Sequence, residues 1–147
     1  MIRAAVADDA SRIAEILIFT KRMNYRDIFH DDQVSFGQMQ VYPLVKEYIE
    51  DPGRLNGLWV YDDGFVKGLV HIEGTEIAEL YVDSFFAGTG IGSELMKYAI
   101  EKYHCNKLWV LEKNSRAIRF YERFGFAKTD NRQLQEGTPE YKVLMSR

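Results

Sequence analysis

Cysteine is almost missing from this 147-residue chain: Cys105 stands alone. A lone thiol closes no internal disulfide, and no CxxC or Cys/His spacing offers a zinc site. His30, His71 and His104 are isolated from one another, so no metal is expected. Cys105 is expected to pack near a helix end, because no base lies at a readable spacing to make it a nucleophile. Long apolar runs are missing too. The stretch Ala14 to Phe19 already contains Glu15, far short of the ~20 residues that cross a bilayer. The opening "MIRAAVADDASR" lacks a basic region followed by an apolar one. A cytoplasmic protein with no membrane partner is expected. Positive charge is in deficit, at net −3 and an isoelectric point near 5.6, which argues against a nucleic-acid partner. What remains is 46% hydrophobic and 14% aromatic, ordinary for a globular protein. The length suits one domain over residues 1–147 with a sizeable core.

The chain shows no repeat and no low-complexity segment. Residues 2–6 read as a short strand. Asp8 and Asp9 are candidate caps for a helix whose apolar stripe is Ile13, Ile16, Leu17 and Thr20. Residues 21–35 lack clean periodicity and read as a loop or a broken helix. Residues 36–50 look helical, with Pro43 as a local objection. Two apolar runs flank Asp62-Asp63-Gly64, a hairpin signature. A second turn near Gly74 leads to "EIAELYV" (76–82), so three consecutive strands are expected. Ile91, Leu95, Met96, Ala99, Ile100 and Tyr103 recur at helical spacing. Residues 107–112 read as a strand. Residues 114–124 read as a helix capped by Asn114 and ended at Gly125. Two closing strands surround Glu136-Gly137-Thr138-Pro139. The order is that of a mixed α/β domain with helices over a largely antiparallel sheet.

"SFFAGTGIGSEL" (84–95) places Gly88, Gly90 and Gly92 within five positions, between a strand and a helix. The first N–H groups of a helix lack partners, and its dipole is positive there. Glycines let an anion approach that backbone closely. The competing explanation is a tight, closely packed turn. Two phosphate motifs fail. A Walker A loop needs Lys after its last glycine, and Ser93 follows Gly92. A dinucleotide fingerprint needs its third glycine at Ser93, in an opening βαβ unit rather than after hairpins.

A third pattern fits. "LYVDSFFAGTGIGSELMKYAI" resembles the acetyl-coenzyme A loop of the GNAT superfamily of N-acetyltransferases, whose pattern is Gln/Arg-x-x-Gly-x-Gly/Ala. Gly90 and Gly92 take its glycine positions. Ala87 stands where Gln or Arg is usual, and Thr89 where a basic residue is frequent. "NSRAIRFYERFGF" (114–126) resembles the family's Asn-x-x-Ala-x-x-x-Tyr-Glu-x-x-Gly-Phe segment. Asn114, Ala117, Tyr121, Glu122, Gly125 and Phe126 fall in place, and 21 residues separate Gly92 from Asn114. The resemblance implies a GNAT-like α/β (α+β) fold. Its mixed, largely antiparallel twisted sheet would have about seven strands, the fourth and fifth splayed.

It also implies acetyl transfer from acetyl-coenzyme A to an amine by direct attack in a ternary complex, without a metal. The cofactor would lie on Leu80, Tyr81 and Val82, on the loop from Ala87, Gly88, Thr89, Gly90 and Ile91 to Gly92 and Ser93, and on Asn114, Ala117, Phe120 and Tyr121. Leu80 N–H would stabilise the oxyanion and Tyr121 would be the general acid. Tyr121 also belongs to an apolar stripe with Ala117, Ile118 and Phe124, the competing core role. Glu76 matches a position that carries a base in several members, and Glu79 is the second candidate. Strand alternation places the two on opposite faces unless a bulge intervenes. Tyr25, Asp27, Asp31 and Asp32 would meet a cationic small-molecule or peptide amine; a solvated loop is the plainer reading of that charge run. A homodimer is compatible with the family. A different class stays open: a non-catalytic cofactor-binding sensor or interaction domain on the same fold, motivated by Ala87 and Thr89.

Overall fold

The computed structural model describes residues 1–147. In chain order the elements are β1 (Ile2–Ala4), α1 (Ala10–Phe29), α2 (Val41–Glu50), β2 (Leu58–Asp62), β3 (Val66–Glu73), β4 (Glu76–Val82), α3 (Ile91–Tyr103), β5 (Lys107–Leu111), α4 (Ser115–Glu122), β6 (Ala127–Leu134) and β7 (Tyr141–Ser146). The strands form one seven-stranded sheet in the order β1-β2-β3-β4-β5-β7-β6. Every neighbouring pair is antiparallel except β4 and β5. No helix is long and apolar enough to cross a membrane.

Each face of the sheet carries its own core. On one face Leu95 and Met96 of α3, Ile118 of α4 and Phe126 pack over β3, β5 and β7. On the other, Ile13 and Leu17 of α1 and Tyr48 of α2 pack over Val60 and Leu69. Each fully buried aliphatic side chain contributes about 1.5–3 kcal/mol. Cys105 is buried just after α3, and burial pushes its thiol up, so it is an inert core residue here.

Two expected boundaries are corrected. Residues 21–29, within the stretch expected as a loop or a broken helix, continue α1, a helix of 20 residues that ends at His30 in the left-handed region (φ 52°). The apolar stripe fades there because α1 runs past the sheet's core and turns a polar face to a cleft. The helix expected over 36–50 begins only at Val41, after a π-helical turn over 33–38. Pro43 decides this start. Its missing N–H and its ring are tolerated only in a first turn, where the N–H groups have no intrahelical partner anyway. Asp9 precedes α1, but its side chain accepts no cap bond from the helix N–H groups. Its carboxylate instead accepts from both terminal nitrogens of Arg3 (2.8 and 2.9 Å) and from Val6 N–H (2.9 Å). Those bonds hold the Asp9 carboxyl below its ordinary range against the cost of burial.

One turn tests the strand register. Gly57 has φ +80°, and a Cβ there would meet the Ile72 carbonyl oxygen at 2.4 Å. That same turn accepts Ile72 N–H at 2.8 Å. Gly57→Ala therefore meets both left-handed strain and fixed backbone. It is expected to cost about 3 kcal/mol, lowering the melting midpoint by roughly 6–12 °C. A midpoint within about 2 °C of wild type in a thermal melt would show that this turn relaxes freely.

Candidate active site

The glycine segment sits between β4 and the N-terminus of the 13-residue α3. Gly88 (φ +78°) and Gly90 (φ +91°) both adopt the left-handed backbone, and a Cβ at either would meet nothing within 4 Å. The open space on that side excludes close packing as the reason for these two glycines. Gly92 is different: its Cβ position lies 3.5 Å from the Phe120 ring of α4, an ordinary contact. Asp83 fixes the loop's entry, accepting from Phe85 N–H at 2.9 Å and from the Arg12 guanidinium of α1. The exposed Thr89 bonds back within the loop, its hydroxyl donating to Phe86 O at 2.6 Å.

Beyond this loop the sheet opens. β4 and β5 pair only at Glu76 with Lys107 and Ile77 with Leu108, so Ala78–Val82 have no partner on that side. Asp83 N–H donates to Lys67 O on β3 at 2.9 Å. Successive peptide groups of a strand point to alternate sides, so the N–H groups of Leu80 and Val82 face the splay. A cleft of about 850 Å³ runs through it, from α1 on one face to α3 and α4 on the other.

Three tyrosines meet there. Tyr25 of α1 and Tyr81 of β4 share a hydroxyl–hydroxyl bond of 2.9 Å. Tyr121 of α4 lies edge-on to Phe120, with ring centroids 5.5 Å apart. Burial lifts the Tyr121 phenol far above its ordinary range, and the neighbouring Tyr25 opposes its ionisation further. Tyr121 thus stays protonated at neutral pH with its ring packed and its hydroxyl in the cleft, the amphipathic role a tyrosine suits. Its core role and its cleft role coexist.

A bulge brings the two glutamates to one face, and their places along β4 then separate them. Ile72 pairs with Ile77 but His71 pairs with Glu79, so Ala78 is an extra residue. The bulge removes the alternation that set Glu76 and Glu79 on opposite faces. Glu79 lines the cleft; Glu76, beside the turn and opposite Glu73, does not. Glu79 lies 3.3 Å from Lys21 Nζ of α1 and 3.9 Å from His71 Nδ1 of β3. Burial disfavours its charge, but His71 and Lys21 outweigh burial and hold its carboxyl below the usual range. His71 moves the other way, raised chiefly by Glu79 against burial, with Glu73 (3.7 Å) and the Asn56 backbone adding to it.

The sign of that linkage can be tested. A histidine raised on folding contributes stability that is full below its unfolded value, near 6.5, and is lost as pH rises through the folded value. Glu79, with a depressed value, stays ionised over this range. The gap in melting midpoint between wild type and His71→Gln is therefore expected to narrow as pH rises from about 6 to about 9. A constant gap across that range would mean that the pair carries no proton linkage.

Most of the residues named from sequence converge on this one cleft: Tyr25, Glu79, Leu80, Tyr81, Val82, the loop at Ala87, Gly88, Gly90, Ile91, Gly92 and Ser93, then Asn114, Ala117, Phe120 and Tyr121. Asn114 also caps α4, accepting from Ala117 N–H at 3.2 Å. Thr89, Glu76, Asp31 and Asp32 lie outside its walls. Asp32 is exposed and paired with Arg26 at 3.0 Å, and Asp31 accepts from Gln33 N–H. Five cleft or near-cleft cations were not anticipated, Lys142 of β7 among them. Arg116 on α4 and Arg123 just past its end recur seven residues apart, a spacing legible in sequence, and neither has an ion-pair partner. Lys21 required knowing that α1 continues, and His71 required the sheet register.

Residues 54–128, just over half of the chain, match the Acetyltransferase (GNAT) domain family. This chain belongs to the GNAT acetyltransferase family. Among GNAT relatives it is 26% identical over 137 residues to the spermine/spermidine N(1)-acetyltransferase of Bacillus subtilis, covering 85% of this chain and 86% of that protein. It is 38% identical over 74 residues to the peptidyl-lysine N-acetyltransferase YiaC of Escherichia coli, covering 49% and 51%. It is 35% identical over 83 residues to an uncharacterized N-acetyltransferase of Methanocaldococcus jannaschii, covering 53% of this chain but 37% of that protein. The PaiA N-acetyltransferase of Thermoplasma acidophilum, crystallised with coenzyme A, shares the GNAT fold: TM-score 0.70 at 19% identity over 100% of this chain and 98% of that one.

Proposed function

We propose that this chain transfers the acetyl group of acetyl-coenzyme A to a primary amine. The observation that carries the reading is a single cleft. It joins an open glycine loop at a helix N-terminus, an unpaired strand edge and a protonated tyrosine on one side to a carboxylate on the other. The residues present fit the donor. The α3 N–H groups and the left-handed Gly88 and Gly90 suit a pyrophosphate. Arg116 and Arg123 add positive charge near the loop, where Ala87 and Thr89 bring none. When bound, the donor supplies an activated thioester.

The chain's own groups then act as follows. The edge of Leu80–Val82 bonds the extended arm of the cofactor as a strand would. Leu80 N–H, on that open edge, would stabilise the charge that develops on the thioester carbonyl oxygen. Tyr121 gives a proton to the leaving sulfur. Glu79 takes a proton from the amine, directly or through water. The acceptor is an amine, since relatives named for spermine and for peptidyl-lysine share that chemistry. Spermine and a lysine peptide, each with acetyl-coenzyme A, give the test: acetylated product and thiol release are expected with at least one amine. If coenzyme A binds by calorimetry and no amine on a broad panel is acetylated, the chain is a cofactor-binding domain without this activity. The two residues that replace the family's side-chain phosphate contacts, Ala87 and Thr89, are what keep that second outcome in view.

A further inference from the structure

We propose that Lys21 is a self-acetylation site, the one amine this chain places in its own acceptor position; the proposal rests on the acetyltransferase reading above. Three observations carry it. Lys21 Nζ lies 3.3 Å from Glu79 Oε2, the carboxylate assigned to deprotonate the acceptor. It stands 5.9 Å from the ring centre of Tyr81, whose strand bears the Leu80 N–H. Its side chain lines the same cleft as the glycine loop and Tyr121, and remains 30% exposed, so the amine is reachable. An external acceptor would have to present an ammonium group at this carboxylate, and Lys21 already does so from α1.

The other lysines do not meet these conditions. Lys142 also lines the cleft, but its ammonium lies 5.4 Å from the Trp109 ring centre and pairs with no carboxylate. Lys67 is held by Asp63 at 3.0 Å and sits over the Phe65 and Phe86 rings, outside the cleft. Lys46 and Lys113 are about twice as exposed as Lys21, at 61% and 62%, on the outer surface. They are the natural controls for unassisted chemical acetylation, which follows exposure.

The step balances with acetyl-coenzyme A as the named co-reactant. Glu79 takes one proton from the Lys21 ammonium. The freed Nζ lone pair forms a bond to the acetyl carbonyl carbon. The carbon–sulfur bond breaks, and its electron pair leaves on sulfur. The nitrogen's second proton balances the one that Tyr121 delivers to the thiolate. The products are Nε-acetyl-Lys21 and coenzyme A, with the Glu79 proton passing to solvent. The neutral amide no longer forms an ion pair with Glu79.

The test incubates the full chain with acetyl-coenzyme A and no other amine, then measures acetyl occupancy at each lysine against time by peptide mass spectrometry. Lys21 is expected to react first, at a rate unchanged by diluting the protein and about tenfold or more above Lys46 and Lys113. Glu79→Gln is expected to slow Lys21 about a hundredfold and leave Lys46 and Lys113 unchanged. Lys21→Arg, which keeps a cation beside Glu79 and guards against a folding artefact, should remove the fast phase alone. The proposal is overturned if Lys21 only keeps pace with the two controls, or if Glu79→Gln slows all three alike. Calorimetry with coenzyme A and the amine assay run in parallel separate the two failures. Intact binding and amine turnover with Lys21 unmodified overturn only the self-acetylation; absent binding overturns both.

Discussion

Tyr121→Phe is expected to lower kcat about 10²–10⁴-fold while leaving the coenzyme A dissociation constant within about twofold of wild type. The substitution removes one hydroxyl and keeps the ring. The ring packs beside Phe120 and Phe126 at centroid distances of 5.5 and 6.3 Å, so the fold and the cofactor wall stay in place. What disappears is a phenol that burial keeps protonated in the same cleft as the Leu80 edge. A thiolate that departs without a proton is a poorer leaving group, and the loss falls on the chemical step rather than on binding. Stopped-flow thiol release in a single turnover, with calorimetric binding alongside, reads both quantities. Equal losses in kcat and in affinity would instead mean that Tyr121 is a packing residue.

Gly90→Asp is expected to weaken coenzyme A binding about a hundredfold or more while the protein stays folded. Gly90 is the residue before α3, at φ +91°. A side chain there has open space but incurs the left-handed penalty of about 1–2 kcal/mol, which Asp and Asn tolerate best. An Asp at this position also satisfies helix N–H groups as a cap. It therefore competes for the donors a phosphate would use and adds a negative charge beside it. Two like charges about 4 Å apart repel by roughly 4 kcal/mol at a near-surface effective dielectric. Gly90→Asn carries the same strain and the same capping ability without the charge. A Kd for Gly90→Asn much closer to wild type than that of Gly90→Asp, measured by calorimetry at low salt, would identify an anion at the loop. Equal losses in the two variants would assign the effect to backbone strain alone.

The residues that show their purpose in sequence are those whose constraint is local. Gly88 and Gly90 are needed because the backbone itself turns left-handed at a helix start. Pro43 registers as an objection to a helix over 36–50, because its ring and missing N–H act within one turn, but the start at Val41 needed the structure. Asn114 and Gly125 bracket α4 through contacts a few residues away. The hairpin at Asp62-Asp63-Gly64 and the strand over 76–82 were legible for the same reason, and so was the element order that resembles the GNAT pattern. The region after Thr20 was not. α1 continues to Phe29 because tertiary packing supports a helix whose outward face is polar, and the apolar period that signals a helix is absent there.

Glu79 could not be separated from Glu76 in sequence. The strand's period of two holds only where no bulge interrupts it, and the bulge at Ala78 exists only in the pairing with β3. His71 reaches Glu79 across two strands, and Lys21 reaches it from a helix 58 positions earlier in the chain. A linear pattern records neither. Sequence by itself carried the family, through the two motif resemblances that also single out Tyr121, and it carried the glycines at a helix start, because steric rules there act over a few residues. The tertiary structure alone decided which carboxylate enters the cleft and which cations hold it, because register, bulge and splay are set by pairing between distant strands.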